Sequence, residues 1–478
     1  MSVIHILAAE LELTSPAAVA APEAHTVGSI LRPGLPLARD GWGNPYIPGS
    51  SLAGSLRHQA PQERQEALFG DVRKDPEESA AGGTSETTVT ASAVRVLGTR
   101  ITSPRAPLSR RRRTAVDRHR AAARANTLHE RELLPPGTEL TLWLRIDTAQ
   151  RESPLLDEVI GLLSTWRPRI GGGRTTGYGR AELIRVRHRV IDLATTDGLR
   201  HWLTCGGPEL VDKHATTVYH RAQVRGGAPD EPHLFGRPLE FAIADALHVG
   251  SGTVSDRSAR RTGVARILRD HEDTPVVPGS SWKGVLRGRV ELILRSVGIG
   301  DVCASVADEQ SGGCGACDIC VAFGWTEQSG VSADDVTAET VGARGKLLFA
   351  DSPVREGTVR VRNHVAIDRV FGGARDEALF SEETVENGQL TLHLRHDGEV
   401  PALVRAALVL ALGDLADGSA GIGGGTTRGY GTLTAEPATA EWLATERAQA
   451  VETLRAHRAE AGSASIPSPA KATEEVSA

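Results

Sequence analysis

The chain of 478 residues is too long for one average domain, so two or three domains are expected. Hydrophobic residues make up 40% and charged residues 24%, which are the proportions of a globular rather than a disordered protein. The net charge of −6 excludes a uniformly basic protein that wraps nucleic acid. Because 49 of the 54 basic residues are arginine and they cluster, a local anionic ligand is favoured instead.

The first predicted element is a strand over residues 5–8. No charged segment followed by a long apolar stretch opens the chain, so no signal peptide is expected. No apolar run reaches the ~18 residues of a membrane span. We therefore expect a cytoplasmic protein with no membrane partner.

A Pro-Gly-Ser-Ser segment then predicts the start of a helix that runs from residue 50 or 51 to residue 68. Ser50 or Ser51 is expected to be the N-cap, and Arg57 follows on the helix. The positive end of a helix can hold a phosphate group. The alternative is an ordinary cap that binds no ligand.

Residues 100–131 hold ten arginines against two acidic residues. They include the run 110–113, in which Arg111 and Arg112 are candidate contacts to RNA. The alternative is a solvated charged segment without a ligand.

A strand over 140–146 and a buried helix over 155–166 follow, and a glycine-rich loop comes after them. The loop carries Gly171, Gly172, Gly173 and Arg174 and closes with Gly-Tyr-Gly. Glycines allow the backbone to approach a ligand or another segment closely, so the loop predicts either an anion site or tight packing. The spacing is neither that of a Walker loop nor that of a Rossmann fingerprint.

The sequence repeats itself once, since five landmarks return in the same order 230 to 252 residues later. The pairs are 47–54 with 277–284, 68–70 with 322–324, 115–118 with 366–369, 140–145 with 390–395, and 170–179 with 422–431. The corresponding candidates in the second copy are Ser280, Ser281, Lys283, Arg287, Gly423, Gly424, Gly425 and Arg428. Because Lys283 replaces Ala53 of the first copy, the two helix starts are not expected to bind a ligand equally well.

The repeat predicts a first domain over 1–187, a connection over 188–235 and a second domain over 236–440. Residues 441–461 are predicted to be helical, and the remainder up to 478 is predicted to be a frayed tail. Each copy runs strand, helix, strands, helix and then a glycine loop into a strand. This order predicts an α+β fold with an antiparallel sheet of the ferredoxin-like type.

Four cysteines fall in an insertion of the second copy at about residues 300–321. They are Cys303, Cys314, Cys317 and Cys320. This spacing can enclose one tetrahedral ion, so a structural zinc is predicted. An iron–sulfur cluster and unligated thiols are the alternatives. Cys205 stands apart and is expected to be an inert small residue.

The paired Pro-Gly-Ser-Ser segments, the Ile/Val-Asp-Arg elements and the Gly-Tyr-Gly loops resemble the RAMP superfamily, and more narrowly the backbone subunits of type III CRISPR effector complexes. The resemblance covers nearly the whole chain as two fused copies. It implies ferredoxin-like, RRM-like cores with a protruding thumb hairpin that kinks the guide–target duplex. It also implies CRISPR RNA, target RNA and other effector subunits as partners, with the residues of the helix starts and glycine loops facing the guide.

Many such subunits cut target RNA with an aspartate in the loop after the first strand. Here the expected position falls near Val264 or Arg266, and the candidate acid is Asp256, which would act with magnesium. Guide processing is a further alternative that needs a base such as His5 or His248. The acids of the repeated Asp-Arg elements, Asp117 and Asp368, are expected to pair with the neighbouring arginine or a loop rather than act as bases.

Overall fold

The computed structural model describes residues 3–20, 34–74, 87–103, 107–117, 122–123, 127–206, 209–212, 215–223, 231–254, 263–299, 313–326 and 342–464. The chain forms two compact units. The first comprises Met1–Thr114 and Ala125–Asp230, and the second comprises Ala115–Arg124 and Glu231–Ala478.

The described part of the first unit contains five α-helices, the last of which is only four residues long. They are α1 Gly49–Gln59, α2 Gln62–Phe69, α3 Pro154–Ser164, α4 Thr196–Thr204 and α5 Glu209–Asp212. The strands up to residue 230 are β1 Val3–Leu13, β2 Gly34–Leu35, β3 Asp71–Lys74, β4 Thr87–Thr90, β5 Val94–Ser103, β6 Ser109–Arg113, β7 Val116–Asp117, β8 Ala122–Ala123, β9 His129–Leu133, β10 Glu139–Thr148, β11 Ala181–Asp192 and β12 Thr216–His220.

The main sheet of the first unit has the strand order β12-β11-β1-β10-β5, and each neighbouring pair is antiparallel. Without the added edge strand β12, four strands remain, which are β1, β5, β10 and β11 in chain order. Across the sheet they lie as fourth, first, third and second. With α1 after the first strand and α3 after the third, this is the βαββαβ arrangement of the ferredoxin-like fold. The predicted fold class is confirmed for this unit.

The central strand β1 is buried on both faces of this sheet. Because side chains alternate along a strand, Leu7 and Leu11 join the core under the helices, whereas Ile4 and Ile6 join a separate cluster. Leu210 and Val211 of α5 belong to that second cluster. Segments after β11 therefore cover the sheet face that the ferredoxin-like helices leave open.

The second unit repeats this order of elements. Its core strands are shorter than those of the first unit, and its last described helix has 28 residues. Its helices are α6 Gly279–Ser296, α7 Asp318–Phe323, α8 Ala402–Ala416 and α9 Pro437–Ala464. Its further strands are β13 Leu239–Ile243, β14 Ala246–Leu247, β15 Gly250–Val254, β16 Val264–Ile267, β17 Val276–Val277, β18 Gly324–Thr326, β19 Gly342–Arg344, β20 Leu347–Phe349, β21 Ser352–Pro353, β22 Thr358–Ile367, β23 Ala374–Glu386, β24 Gln389–Leu392, β25 Leu394–His396 and β26 Leu433–Ala435.

In this unit β13 lies between β24 and β26, and β25 continues β24 to pair with β20. The order is again fourth, first, third and second, so the second ferredoxin-like core is confirmed as well. Trp282 of α6, Phe241 of β13 and Leu408 of α8 are buried together in its core. From this core β22 and β23 extend as a long antiparallel hairpin.

Two predicted elements differ from the structure. The helix predicted from residue 50 or 51 to 68 is interrupted at Ala60 and Pro61, because a proline in a helix interior removes a hydrogen bond and clashes with the preceding turn. The terminal helix reaches Ala464, beyond its predicted end at residue 461, and the rest of the predicted tail lies outside the described residues. None of the helices within the described ranges is both long and apolar enough to cross a membrane.

Candidate nucleic-acid interface

Both Pro-Gly-Ser-Ser segments begin a helix at the glycine, with Pro48 and Pro278 as the N-cap residues. The prediction of a serine N-cap was wrong, since proline takes the N-cap position in both helices and its side chain makes no capping bond. The extended proline backbone already turns the chain, so the fourth residue of each segment donates its N–H to the proline carbonyl, at 2.9 Å for Ser51 and 2.8 Å for Ser281. In the second unit Asp351 Oδ1 accepts the N–H of the first helical residue at 2.9 Å.

The serine hydroxyls at these helix starts are accessible to different extents. Ser50 is exposed, whereas Ser51, Ser280 and Ser281 are half-buried. Lys283 is half-buried and is the fifth residue of α6. Contact of these residues with RNA stays a prediction.

Arg57 and Arg287 occupy the same position in the repeat and make the same contact. Arg57 donates to the carbonyl of Gly70 at 2.7 Å, and Arg287 donates to that of Gly324 at 2.8 Å. Each of these glycines follows the phenylalanine of the repeated Phe-Gly landmark. Both arginines therefore fasten their helix to a turn of their own unit, and their predicted contact with guide RNA stays untested.

The glycine loops are fixed against the backbone that follows the first strand of each unit. Gly172 donates to the carbonyl of Ala18 at 3.0 Å, and Gly424 donates to that of His248 at 2.7 Å. Gly171 has a φ of +70°, and a Cβ placed on it would lie 1.9 Å from the Ala18 oxygen. This close approach is to the protein itself, as the tight-packing alternative requires.

Replacing Gly171 with alanine should destabilise the first unit by about 2 kcal/mol, because the new Cβ meets a backbone oxygen at a left-handed φ. Gly172 is the matched control. Its Cβ would have only the Arg131 guanidinium nearby, at 3.7 Å, so its alanine variant should unfold at the same denaturant concentration as the wild type. Equal urea midpoints for the two variants would contradict this interpretation of the loop.

The loop arginines bind within their own unit. Arg174 donates to the carbonyl of Arg169 at 3.1 Å. Arg428 contacts the Glu382 carboxylate at 2.7 Å and lies over the rings of Phe380 and Tyr430. The two loops thus place their arginines differently, and their contact with RNA stays a prediction.

The arginine run forms strand β6, which pairs with β9 in a hairpin. Because side chains alternate, the run is divided between two faces. On the outer face Arg110 meets Glu132 at 3.2 Å and Arg112 meets Glu130 at 3.0 Å. The predicted contact Arg112 therefore already has a carboxylate partner.

The inner face of this hairpin meets the glycine loop. Arg111 is 5% exposed and donates to Tyr178 Oη at 3.3 Å. Arg113 lies over the same ring, 4.5 Å from its centroid. Directly opposite Arg111 in the register is Arg131, whose guanidinium faces Gly172. The structure thus brings the predicted Arg111 and the glycine loop together.

Sequence reasoning missed Arg113 and Arg131 as members of this cluster. The signal that could have found them is the two-residue periodicity of the run and of His-Glu-Arg-Glu-Leu in β9. Treating residues 110–113 as a strand places Arg111 and Arg113 on one face, away from the residues that meet the glutamates.

The corresponding face of the second unit contains carboxylates. Tyr430 Oη bonds His364 Nε2 at 2.9 Å, and Arg362 contacts Glu386 at 2.7 Å and Asp245 at 3.0 Å. These two carboxylates raise the pKa of Arg362. The second unit therefore balances the charge of its inner face internally.

The hairpin β22–β23 of the second unit presents an apolar tip. Val370 is 84% exposed and Phe371 is 87% exposed. Asp368 accepts the backbone N–H groups of both residues, at 2.8 and 3.0 Å, and these bonds lower the pKa of Asp368. The expectation that Asp368 pairs with a loop is confirmed, and the consequence is an ordered turn that exposes an aromatic ring.

Three of the predicted zinc ligands lie close together. The Sγ atoms of Cys314, Cys317 and Cys320 are within 4.8 Å of one another, and those of Cys314 and Cys320 are 3.9 Å apart. A tetrahedral zinc with Zn–S bonds of about 2.3 Å has S–S edges of about 3.8 Å, so the thiols fit this ion. Cys303, the fourth predicted ligand, lies outside the described residues.

The candidate catalytic residues lie partly outside the described residues. Asp256 lies outside the described residues, and Val264 and Arg266 lie in β16 and carry no carboxylate. His248 bonds the carbonyl of Glu383 at 2.7 Å through Nδ1. Asp117 lies in β7, but the neighbouring Arg118 is outside the described residues.

His5 is fully buried between His188 Nε2 at 3.1 Å and Thr148 Oγ1 at 2.9 Å. Burial lowers the pKa of His5, and burial together with His5 lowers the pKa of His188 to about 4. The pair is therefore uncharged at neutral pH, and His5 is closed to solvent while His188 is half-buried. This environment does not suit a base that must reach a substrate.

A family model described as the RAMP superfamily matches residues 10–182 and 242–434. The two matched regions coincide with the two ferredoxin-like cores and with the internal repeat. No curated protein matches the chain.

Proposed function

The chain belongs to the RAMP superfamily, and on this premise we propose that it is a double-length backbone subunit of a type III CRISPR ribonucleoprotein. Membership of the family implies a CRISPR-associated, RNA-binding protein. In the proposed role the two units bind consecutive stretches of guide RNA and support its duplex with target RNA. The partners are CRISPR RNA, target RNA and the other effector subunits.

The observation that carries this proposal is an arrangement found in both units. In each, a tyrosine of the Gly-Tyr-Gly loop lies under the inner arginine of a β-hairpin, Arg111 in the first unit and Arg362 in the second. Arginines and glycine-loop backbone can hold a chain of phosphates in a given register without reading base identity. A guide-binding subunit needs this property because guide sequences differ.

The exposed tip of the second hairpin supports the duplex part of the proposal. Phe371 and Val370 stand at the end of a long two-stranded arm, and an aromatic ring can stack on bases of any sequence. We assign this arm the thumb role, in which the tip enters between base pairs of the guide–target duplex and kinks it.

Binding of a labelled single-stranded CRISPR RNA to the full chain, measured by fluorescence anisotropy, tests the proposal. Lys283→Ala should weaken binding several-fold, because a phosphate contact contributes a salt-dependent electrostatic free energy. Lys283 is chosen as the probe because it is the position at which the second copy has a cation and the first copy has Ala53.

Lys346→Ala is the matched control, since Lys346 is an exposed lysine of the same unit directly before β20. Its affinity for RNA should equal that of the wild type. The proposal fails if the wild type binds no RNA at low salt, or if both lysine variants lose affinity equally. In the guide-loaded complex, magnesium-dependent cutting of target RNA that Asp256→Ala abolishes would favour a ribonuclease instead.

We further propose that the cysteine cluster holds a structural zinc. Cys317 and Cys320 are buried, and Ile319 and Phe323 of the same short helix α7 lie in the core of the second unit. When bound, the ion would hold the cysteine-rich insertion against that core. The residues assigned as ligands are Cys314, Cys317, Cys320 and Cys303.

A further inference from the structure

The inner face of hairpin β6–β9 collects like charges, whereas its outer face pairs Arg110 and Arg112 with glutamates. Arg111, Arg113 and Arg131 converge there around Tyr178 and the glycine loop. Among the described residues, no carboxylate lies within ion-pair distance of Arg113 or Arg131. The negative charge that would balance these two guanidinium groups is therefore not supplied by the described part of the chain.

Two of the donors on this face are buried without a hydrogen-bond partner, namely Nη2 of Arg113 and Nε of Arg131. Burial, followed by repulsion from Arg113, lowers the pKa of Arg131. A buried charged donor without an acceptor costs several kcal/mol, so an acceptor that carries negative charge would be bound favourably here.

The second unit carries an acidic acceptor, Glu382, at the corresponding position of the repeat. Arg362 stands in register opposite Glu382, as Arg111 stands opposite Arg131. The Glu382 side chain is 7% exposed, and it contacts Arg428 at 2.7 Å and His364 at 3.1 Å. One carboxylate thus bonds two cationic or ionisable groups around Tyr430. The first unit has arginine at this position.

We propose that the first unit binds one phosphate-class oxyanion between Arg113 and Arg131, beside the glycine loop, whereas the Glu382 carboxylate takes its place in the second unit. This inference rests on the proposed function where it assigns the anion to a phosphodiester of bound RNA. Free inorganic phosphate has the same chemistry and is the other source. The first unit would then make a phosphate contact with the guide RNA that the second unit does not make.

The substitution Arg131→Glu tests the proposal, because it gives the first hairpin the residue that the second hairpin already has at this register. Arg110→Glu is the matched control. It makes the same charge change on the outer face of the same hairpin, in the partner strand β6, where the arginine side chain is 66% exposed. Both variants are made in the full chain, and circular dichroism in chloride buffer checks their folding.

In the first arm, inorganic phosphate is added at constant ionic strength and the thermal midpoint is measured. The wild type and Arg110→Glu should be stabilised by phosphate, and Arg131→Glu should not respond. In the second arm, RNA affinity is measured across a salt series. Arg131→Glu should bind about 10- to 100-fold more weakly and lose about 0.7 from the slope of log affinity against log salt.

Loss of both responses in Arg131→Glu alone supports the proposal with RNA as the source. Loss of the phosphate response with unchanged RNA affinity overturns the assignment to RNA and leaves a site for free phosphate. Identical behaviour of Arg131→Glu and the wild type in both arms overturns the site. If the wild type binds no RNA, the proposed function fails, and the phosphate arm alone decides the anion site. If Arg131→Glu does not fold, Arg131→Gln is measured in its place.

Discussion

Replacing Arg287 with alanine should destabilise the second unit by about 3 kcal/mol. Its Nε contacts Glu291 Oε1 at 3.0 Å, and the Glu291 side chain is only 1% exposed. Arg295 also lies near Glu291, at 3.9 Å. Removing one partner of a buried ion pair leaves a buried charge poorly compensated, which costs about 3–5 kcal/mol in other proteins. The hydrogen bond from Arg287 to the carbonyl of Gly324 is lost as well.

Urea unfolding of the full chain, followed by circular dichroism and tryptophan fluorescence, measures this change. The matched control is Arg57→Ala, which removes the same repeat position from the first unit. Arg57 pairs with Asp71 at 3.6 Å, and the Asp71 side chain is 31% exposed. The control should therefore lose only about 1 kcal/mol. If Arg287→Ala unfolds at the wild-type urea concentration, the ion pair does not stabilise the fold.

A second variant separates the charge from the packing. In Arg287→Ala combined with Glu291→Leu, no carboxylate remains at position 291, so part of the lost stability should return. A double variant less stable than Arg287→Ala would show that the Glu291 carboxylate stabilises the fold through other contacts. The comparison matters for RNA binding too, because a loss of affinity in Arg287→Ala could not be separated from a loss of folded protein.

The duplicated ferredoxin-like fold could be predicted because it follows from patterns along the chain. The strand predicted over 140–146 lies within β10, and the apolar segment at 155–166 predicts α3 to within two residues at either end. The order of the five repeated landmarks then requires two similar cores. These are local and sequential signals, which hydrophobic periodicity carries well.

The details of the candidate site depend on contacts between distant segments, which periodicity does not report. Arg57 and Gly70 are both parts of repeated landmarks, yet only the folded chain shows that one bonds the other. The serine cap was predicted wrongly because Pro48 and Pro278 turn the backbone one residue before the glycine that begins the helix. In both cases the folded backbone decides whether a side chain bonds the protein or is left to bind a ligand, and the sequence pattern is the same for either outcome.

The arginine run at 110–113 could not be interpreted from its composition because the role of each arginine depends on strand pairing. As a charge run it predicts only a solvated or RNA-binding segment, whereas as strand β6 it has one neutralised face and one basic face. The difference arises from pairing with β9, whose glutamates alternate with His129 and Arg131. Aligning β9 with β23 across the repeat would have exposed the exchange of Glu382 for Arg131.

Removing the metal from the cysteine cluster should cost the second unit about 4 kcal/mol or more, if zinc is present at about 1,000 times its dissociation constant. Cys317 and Cys320 are buried in the core of this unit beside Ile319 and Phe323. Without the ion, α7 would keep only the packing of a six-residue helix, which is too short to be stable alone. The consequence is an earlier unfolding transition of the second unit.

Elemental analysis of the purified full chain should find about one zinc per chain, and Cys320→Ser should lose it and melt at a lower temperature. Cys205→Ser is the control, because Cys205 lies in the first unit beside His201, with Sγ 3.3 Å from Nδ1. It should keep the metal and the wild-type melting temperature. Iron in place of zinc would indicate the cluster alternative. A metal-free wild type that melts together with Cys320→Ser would mean that the thiols are unligated and that packing alone holds α7 in the core.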